Sequence, residues 1–244
     1  MTIRDAIKQI PFAHAAGRAW NEYRWLRRAR REQTYAQNGE DRALLELFPA
    51  GYRGTYVDLG ANHPYRISNT YLLYTLGWHG VCVDALPMFG PLYQRHRPRD
   101  TFLNVGVGTQ PGEFYFYEMN CSELSTFSQE IAEELVAKGR ATVKAGHRIQ
   151  SRSVAEIVKS LTDDGQFDVL SIDIEGLDAE IVKGTDWDFV KPRVVICETS
   201  SYEHDWGAEI VELFSRQGYT HQRHVGCNDI FISSAIGRSA DWRA

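Results

Sequence analysis

From residue 55 onward the chain alternates short apolar runs with segments of helical periodicity. The runs have the length and β-branched content of strands buried on both faces. They are TYVDLG (55–60), GVCVDA (80–85), TFLNVGVG (101–108), FDVLSIDIEG (167–176) and RVVICE (193–198). GEFYFYEM (112–119) is a further predicted strand, with strict alternation of its two faces. The alternation of strands with helices predicts βαβ units, and therefore a mostly parallel sheet covered by helices. The sequence thus predicts a Rossmann-like, doubly wound α/β fold that ends in two strands joined at Gly226-Cys227-Asn228.

The domain organisation follows from a change in composition near residue 36. Residues 37–244 carry the strand and helix alternation, and residues 1–36 form a predicted basic helical arm that ends in RWLRRARR. The sequence leaves two interpretations of the arm open. It contacts an anionic membrane surface or an acidic partner, or it packs on the domain or on a second subunit and exposes its arginines to water.

Composition narrows the class of partner and the compartment. The net charge is −5 and the pI is near 5.9, so a nucleic-acid substrate is disfavoured. No apolar run approaches the roughly 18 residues of a membrane span, and no signal-peptide core is evident at the N-terminus. The four cysteines are widely spaced, without a C-x-x-C pair, which is typical of a cytoplasmic protein.

Acidic and amide side chains follow the ends of the predicted strands, where open α/β sheets bind their ligands. These residues are Asp58, Asp84, Asn104, Asp173, Glu175 and Glu198. Acids are poor strand formers, so their repetition indicates a site rather than a contribution to sheet stability.

The first of these turns favours a nucleoside cofactor over a dinucleotide. Asp58-Leu59-Gly60-Ala61-Asn62 lacks the full G-x-G-x-x-G turn, and a carboxylate at this place would repel a pyrophosphate. Asp58 would instead suit an ammonium group, and Asp84, about 26 residues further on, would suit the two hydroxyls of a ribose.

Several stretches resemble the FkbM family of S-adenosylmethionine-dependent methyltransferases: YVDLGANHP, SNTYLLYTLGWHGVCVDALP, STF, SIDIEG and PRVVICETS, within 37–233. The resemblance implies a class I methyltransferase sheet of seven strands with the last antiparallel, and methyl transfer to oxygen, mostly on sugars, glycans and secondary metabolites. It also implies positions around S-adenosylmethionine. These are Asp58, Gly60 and Asn62 at the methionine end, Asp84 at the ribose, Asn104 and Val105 at the adenine, Ser125 at the adenine or ribose edge, and Asp173 and Glu175 facing the sulfonium and the acceptor hydroxyl.

A sugar hydroxyl is a weak nucleophile, so a general base or a metal would assist the transfer. Asp173 and Glu175 are the candidates for binding and deprotonating the acceptor, with His224 as a rival base, and His63 suits a role in catalysis or in covering the cofactor. A magnesium ion is compatible with the oxygen ligands but is not required by their spacing. Its candidate ligands are Asp173, Glu198, Asn228 and Asp229.

The acceptor and the oligomeric state remain open. A nucleotide-linked sugar, a lipid-linked glycan, a polysaccharide end and a small natural product all fit, and Tyr202–Trp206 is the candidate acceptor loop. Two other functions compete with methyl transfer. One is an NAD-dependent oxidoreductase or epimerase, which the missing phosphate turn disfavours; the other is a non-catalytic scaffold in polysaccharide assembly, contacted through the arm.

Overall fold

The computed structural model describes residues 23–174, 177–200 and 206–235, which form strands and helices in alternation. The strands are β1 (Thr55–Leu59), β2 (His79–Val83), β3 (Thr101–Leu103), β4 (Gly106–Val107), β5 (Gly112–Met119), β6 (Val143–Arg152), β7 (Gln166–Ile172), β8 (Lys191–Glu198), β9 (Tyr219–Val225) and β10 (Asn228–Ser233). The helices are α1 (23–32), α2 (Glu40–Leu45), α3 (Tyr71–Thr75), α4 (Gly90–His96), α5 (Gln129–Ala137), α6 (Val154–Val158), α7 (Asp178–Gly184) and α8 (Gly207–Arg216).

Seven of the strands form one sheet in the order β3-β2-β1-β7-β8-β10-β9. The first five run parallel to their neighbours, and β10 is antiparallel to both β8 and β9. The strand order reverses between β1 and β7, which is where such sheets open a crevice for ligands. The predicted α/β fold with an antiparallel last strand is confirmed.

Alternate side chains of the central strands feed two separate cores, one on each face of the sheet. In β1, Val57 and Leu59 pack with the apolar residues of α6, α7 and α8, whereas Tyr56 packs with those of α2 and α3. All three side chains are fully buried. Because both faces are covered, the central strands read as continuous apolar runs in the sequence.

A second sheet of three strands, in the order β4-β6-β5, stands beside the main one. It corrects the prediction of a single strand over TFLNVGVG, which is divided between β3 in the large sheet and β4 in the small one. Asn104 lies at the break, and its side-chain amide donates to the backbone oxygens of Asp84 and Ala85, both at 2.9 Å. A side chain that binds the backbone in this way competes with ladder pairing.

The part of the predicted arm that the structure describes, α1 and the segment after it, lies against the domain. The Trp25 ring is 6.0 Å from the rings of both Tyr35 and Tyr65. Residues 1–22 lie outside the described residues. No helix in the described part of the chain is long and apolar enough to cross a membrane.

Candidate active site

A cavity of about 800 Å³ opens beyond the carboxyl ends of β1, β2, β7 and β8. We call its two sides the strand-end wall and the small-sheet wall. The strand-end wall consists of Gly60, Asn62, Asp84, Asp173 and Glu198. The small-sheet wall consists of Val105, Gly106, Val107, Phe116, Leu124, Ser125, Phe127, Ile131 and Leu135.

The turn after β1 brings the strand-end wall into close contact. Gly60 has φ +80°, and a Cβ at this position would lie 1.7 Å from the backbone oxygen of Asp173. Gly60 and Ala61 both donate their N–H to the Val83 oxygen, at 3.0 and 2.9 Å. Glycine is required here both by the left-handed backbone and by the close approach of the chain from β7.

Asn62 leaves a polar atom unpaired in this wall. Its backbone is also left-handed, with φ 46°. Among the described residues, its buried Oδ1 has no hydrogen-bond partner. A buried unpaired acceptor carries a free-energy cost, and a donor group of a ligand in the cavity would remove that cost.

Asp84, at the end of β2, is held by two backbone donors. Asn62 N–H reaches its Oδ2 at 2.9 Å and Leu86 N–H reaches its Oδ1 at 2.7 Å. Burial raises the pKa of Asp84 to about 6, against the lowering effect of these two bonds, and the charge of Asp58 adds to the rise. The carboxylate therefore has a fixed orientation at the cavity edge, and each of its oxygens retains capacity to accept another hydrogen bond.

Asp173 follows β7 and lines the same wall. Burial, together with the nearby carboxylates of Asp178, Asp58 and Glu40, raises its pKa to about 7. Near neutral pH this carboxyl group therefore exchanges a proton readily, which a general base requires.

Asp58 is placed differently from the other strand-end acids. Its side chain is 4% exposed and is not part of the cavity lining. Thr70 Oγ1 donates to its Oδ2 at 2.5 Å. Burial raises the pKa of Asp58, whereas the charge of Arg97 and the hydrogen bonds from Thr70 and Ser171 oppose that rise.

The three residues predicted at the adenine end have separate surroundings. Val105 and Ser125 line the small-sheet wall. Ser125 Oγ accepts from Met119 N–H at 3.1 Å, which ties the segment after β5 to that strand. The side-chain amide of Asn104 donates to the backbone after β2, and Asn104 does not line the cavity.

The two histidine candidates also lie outside the residues that line the cavity. His224 Nδ1 is 3.2 Å from Asp229 Oδ1, which His221 Nε2 also contacts at 2.6 Å. The ring of His63 packs edge-on against Tyr65, with centroids 4.5 Å apart. The catalytic roles of both remain predictions. Glu175 lies outside the described residues, and its role also stays a prediction.

Two tryptophans differ in their relation to the cavity. Trp206 lines the cavity. Trp78, by contrast, is fully buried and its Nε1 donates to the Tyr52 oxygen at 2.9 Å, so it belongs to the core. Residues 201–205, most of the predicted acceptor loop, lie outside the described residues.

Several residues that line the cavity were not among the site residues predicted from the sequence. Gln37 and Asn38 contribute from the segment before α2, and Phe116, Phe127 and Arg140 contribute from around the small sheet. The strict alternation of GEFYFYEM marked Phe116 as one face of a strand, but nothing marked that face as a cavity wall.

The proposed magnesium ligands do not form a cluster. No group of three or more His, Cys, Asp or Glu side chains within the described ranges is arranged to hold a metal ion. Asp229, one of the candidates, accepts from Thr199 Oγ1 at 2.5 Å as well as from the two histidines.

Comparison with known sequences identifies the family. The profile of the methyltransferase FkbM domain matches residues 58–220, about two thirds of the chain. The chain belongs to the FkbM methyltransferase family. The FkbM match begins at Asp58 and covers Asp84, Asn104, Ser125 and Asp173, so most of the predicted site lies inside it. S-adenosylmethionine is the cofactor that this family assignment gives the chain.

Solved structures resemble the FkbM chain only distantly, and no curated protein matches it. A methyltransferase from Geobacter sulfurreducens has 9% identity and a TM-score of 0.45 and covers 86% of each chain. Precorrin-6y C5,15-methyltransferase from Geobacter metallireducens has 10% identity and a TM-score of 0.42, over 79% of this chain and 85% of its own. The Burkholderia thailandensis 1,6-didemethyltoxoflavin-N1-methyltransferase, solved with S-adenosylhomocysteine, has 12% identity and a TM-score of 0.39, over 91% of this chain and 88% of its own.

Proposed function

We propose that the protein is an S-adenosylmethionine-dependent O-methyltransferase that acts on a hydroxyl group of a sugar, a glycan or a related metabolite. The observation that carries the proposal is the placement of Asp84 and Asp173 in one wall of one cavity, the first fixed by backbone donors and the second with a pKa near 7. One site therefore contains a carboxylate suited to binding the ribose hydroxyls and a second carboxylate suited to acting as a general base.

The cavity fits the cofactor in size and in the chemistry of its donors and acceptors. Its volume is within the roughly 300–1,000 Å³ of small-molecule sites. The strand-end wall supplies carboxylates, which suit a cation and ribose hydroxyls, and the Asn62 Oδ1 supplies an acceptor that lacks a partner among the described residues. The apolar small-sheet wall suits a purine ring, with Val105 and Phe127 as its flanking side chains.

In this arrangement Asp84 would hold the ribose, and Gly60, Asn62 and the charge of Asp58 would hold the methionine end. S-adenosylmethionine, when bound, supplies a methyl group on a positively charged sulfur. Asp173 would orient the acceptor hydroxyl and accept its proton as the new C–O bond forms and the bond between sulfur and the methyl carbon breaks, which leaves S-adenosylhomocysteine as the second product.

Trp206 and Arg140 support an acceptor that carries a sugar ring. Indole rings stack on pyranose rings and guanidinium groups donate to sugar oxygens, and both kinds of side chain are among those that line the cavity. A nucleotide-linked sugar and a lipid-linked glycan both fit this description. We also propose that the protein is cytoplasmic and associates with itself. The basic helix would contact a membrane or a partner, and the chain would divide into an arm (1–36) and a methyltransferase domain (37–244).

The first experiment is calorimetric titration of S-adenosylhomocysteine into the wild type and Asp84→Ala. We expect micromolar binding to the wild type and a loss of about 100-fold in the variant, because two hydrogen bonds to a charged group disappear. NAD, titrated as a control, should not bind. Wild-type protein that binds NAD and not S-adenosylhomocysteine would restore the oxidoreductase alternative.

The second experiment measures methyl transfer to a panel of sugars, nucleotide-linked sugars and lipid-linked glycans, with the product examined for a methoxy signal by NMR. For each acceptor that reacts, the analogue in which hydrogen replaces the methylated hydroxyl is the matched control and should be inert. A methyl group found on nitrogen would contradict O-methylation. Cofactor binding without transfer to any acceptor would favour the scaffold alternative.

A further inference from the structure

A buried chain of polar groups connects the cavity region to the far end of the sheet. It begins at Asp58 and passes through Thr70, whose hydroxyl donates to Asp58 Oδ2 at 2.5 Å. The same hydroxyl oxygen accepts from Arg97 Nη2 at 2.9 Å. Thr70 and Arg97 are fully buried, and Asp58 is 4% exposed. Thr70 belongs to the S-N-T motif, which the proposed function leaves without a role.

Arg97 is fixed in place by all of its surroundings. Its Nε pairs with Asp100 Oδ2 at 2.6 Å, and neither side chain is exposed. Its remaining donors reach Ser68 Oγ, the Pro64 oxygen and the Tyr56 hydroxyl. Three tyrosine rings, those of Tyr56, Tyr74 and Tyr93, lie 5.2–5.5 Å from the guanidinium carbon. Its charge therefore cannot move to follow a ligand, which makes it a fixed element of the electrostatics.

The two carboxylates in this network differ in how they reach Arg97. Asp100 neutralises Arg97 directly, at 2.6 Å, and Tyr56 also donates to Asp100 at 2.8 Å. Asp58 reaches the same arginine only through the Thr70 hydroxyl, so Arg97 does not neutralise its carboxylate in a direct ion pair. The negative charge of Asp58 acts on groups that line the cavity: after burial, it contributes to the raised pKa of both Asp84 and Asp173. A positive ligand bound near Gly60 would offset this negative charge.

We propose that Thr70 is a positioning residue for the cofactor: its hydroxyl, placed between Arg97 and Asp58, holds the Asp58 carboxylate as an oriented anion for the ammonium group of the methionine end. This inference rests on the proposed function, since it takes S-adenosylmethionine as the ligand of the cavity. Thr70 itself does not line the cavity and acts only through Asp58.

The test compares two ligands that differ only at the methionine end. S-adenosylhomocysteine carries the ammonium group, whereas 5′-methylthioadenosine lacks the amino acid altogether. Thr70→Val keeps the shape and removes the hydroxyl, and Thr70→Ser keeps the hydroxyl and is the matched control. We expect Thr70→Val to weaken S-adenosylhomocysteine about 10-fold and 5′-methylthioadenosine less than about 2-fold, and Thr70→Ser to restore the wild-type Kd.

The pH dependence of ligand binding distinguishes this role from a purely structural one, because a purely structural defect would weaken binding equally at every pH. Without the hydroxyl, Asp58 takes up a proton more readily. The ratio of the Thr70→Val Kd to the wild-type Kd for S-adenosylhomocysteine should therefore be larger at the acidic end of the pH range in which both proteins stay folded than at its alkaline end. A ratio that stays constant over this range would overturn the proposal.

The other outcomes are equally decisive. Equal weakening of both ligands by Thr70→Val, or wild-type affinity for S-adenosylhomocysteine, would overturn the proposal and leave the proposed function standing. If Thr70→Val does not fold, Asp58→Asn replaces it and must show the same selective loss; unchanged affinity there would refute the role of Asp58. Wild-type protein that binds neither ligand would contradict the proposed function, and this inference with it.

Discussion

The strand-end wall of the cavity is made of residues at the ends of β-strands or within three residues after them, whereas the small-sheet wall depends on packing between distant segments. Gly60, Asp84 and Asp173 each follow a strand of the large sheet, and hydrogen bonds of 2.7–3.0 Å donated by backbone N–H groups hold their turns together. In the small-sheet wall, Phe127 packs on Phe116 with ring centroids 4.6 Å apart. The first wall is therefore sensitive to backbone geometry and charge, and the second mainly to the volume of its side chains.

The largest effect should come from Gly60→Ala. The new Cβ would meet the Asp173 oxygen in a backbone of φ +80°, so the free energy of unfolding should fall by at least about 3 kcal/mol. Gly139→Ala is the matched control: φ is +65° there, and nothing lies within 4 Å of the added atom. It should cost only about 1 kcal/mol. Urea denaturation followed by circular dichroism measures both, and equal losses would refute the special close approach at Gly60.

A smaller effect is expected from Phe127→Ala in the other wall. The ring is only partly buried, so its removal should lower the free energy of unfolding by roughly 2 kcal/mol. Phe127→Leu keeps most of the volume and should cost less than about 1 kcal/mol. The same denaturation measurement compares the two. If leucine costs as much as alanine, the wall depends on the aromatic contact with Phe116 rather than on volume.

The smallest change in stability, with the opposite sign, is expected from Asp173→Asn. The pKa of Asp173 is raised to about 7 in the folded protein, so ionisation of this group opposes folding. The resulting loss of stability develops as the pH rises from about 4 to about 7 and is complete above that range. Asparagine cannot ionise, and at pH 8 the variant should be more stable than the wild type by about 1 kcal/mol, since the partly exposed site is screened by solvent.

Activity provides the counterpart of that measurement. If Asp173 accepts the proton of the acceptor, Asp173→Asn should remove most of the methyl transfer while leaving the Kd for S-adenosylhomocysteine within about 10-fold. Wild-type kcat/KM should rise with pH through an apparent pKa near 7. A variant that is destabilised at pH 8, or that keeps wild-type turnover, would contradict the assignment of Asp173 as a base with a raised pKa.

The contrast between the walls also explains what could be predicted from the sequence. Asp84 and Asp173 could be placed because apolar runs mark buried strands, and the carboxyl ends of parallel strands meet at one edge of the sheet. The bonds from Asn62 and Leu86 to Asp84 follow from tight turns that are local in the chain. The predicted FkbM resemblance was carried by the same strand-end motifs and is confirmed.

The remainder depended on contacts that leave no local pattern. α5 and β6 received no prediction, and the polar, largely exposed sequence VKAGHRIQSR does not show the buried face typical of a sheet strand. Tertiary packing brings Asp58 next to Thr70, 12 positions later in the chain, and Thr70 next to Arg97, a further 27 positions later. Neither periodicity nor strand ends indicates such a pairing.

The link between α1 and α2 bears on where the enzyme can be shortened for expression. Thr34 Oγ1 and Tyr35 N–H both donate to the buried Asp41 at 2.6 Å. The Tyr35 oxygen accepts from Ser68 N–H at 3.0 Å, two residues before Thr70. A recombinant chain that starts at residue 37 would expose Asp41 and release the S-N-T motif from its support. A recombinant start upstream of α1 preserves these contacts, and with them the support of the turn that carries Thr70.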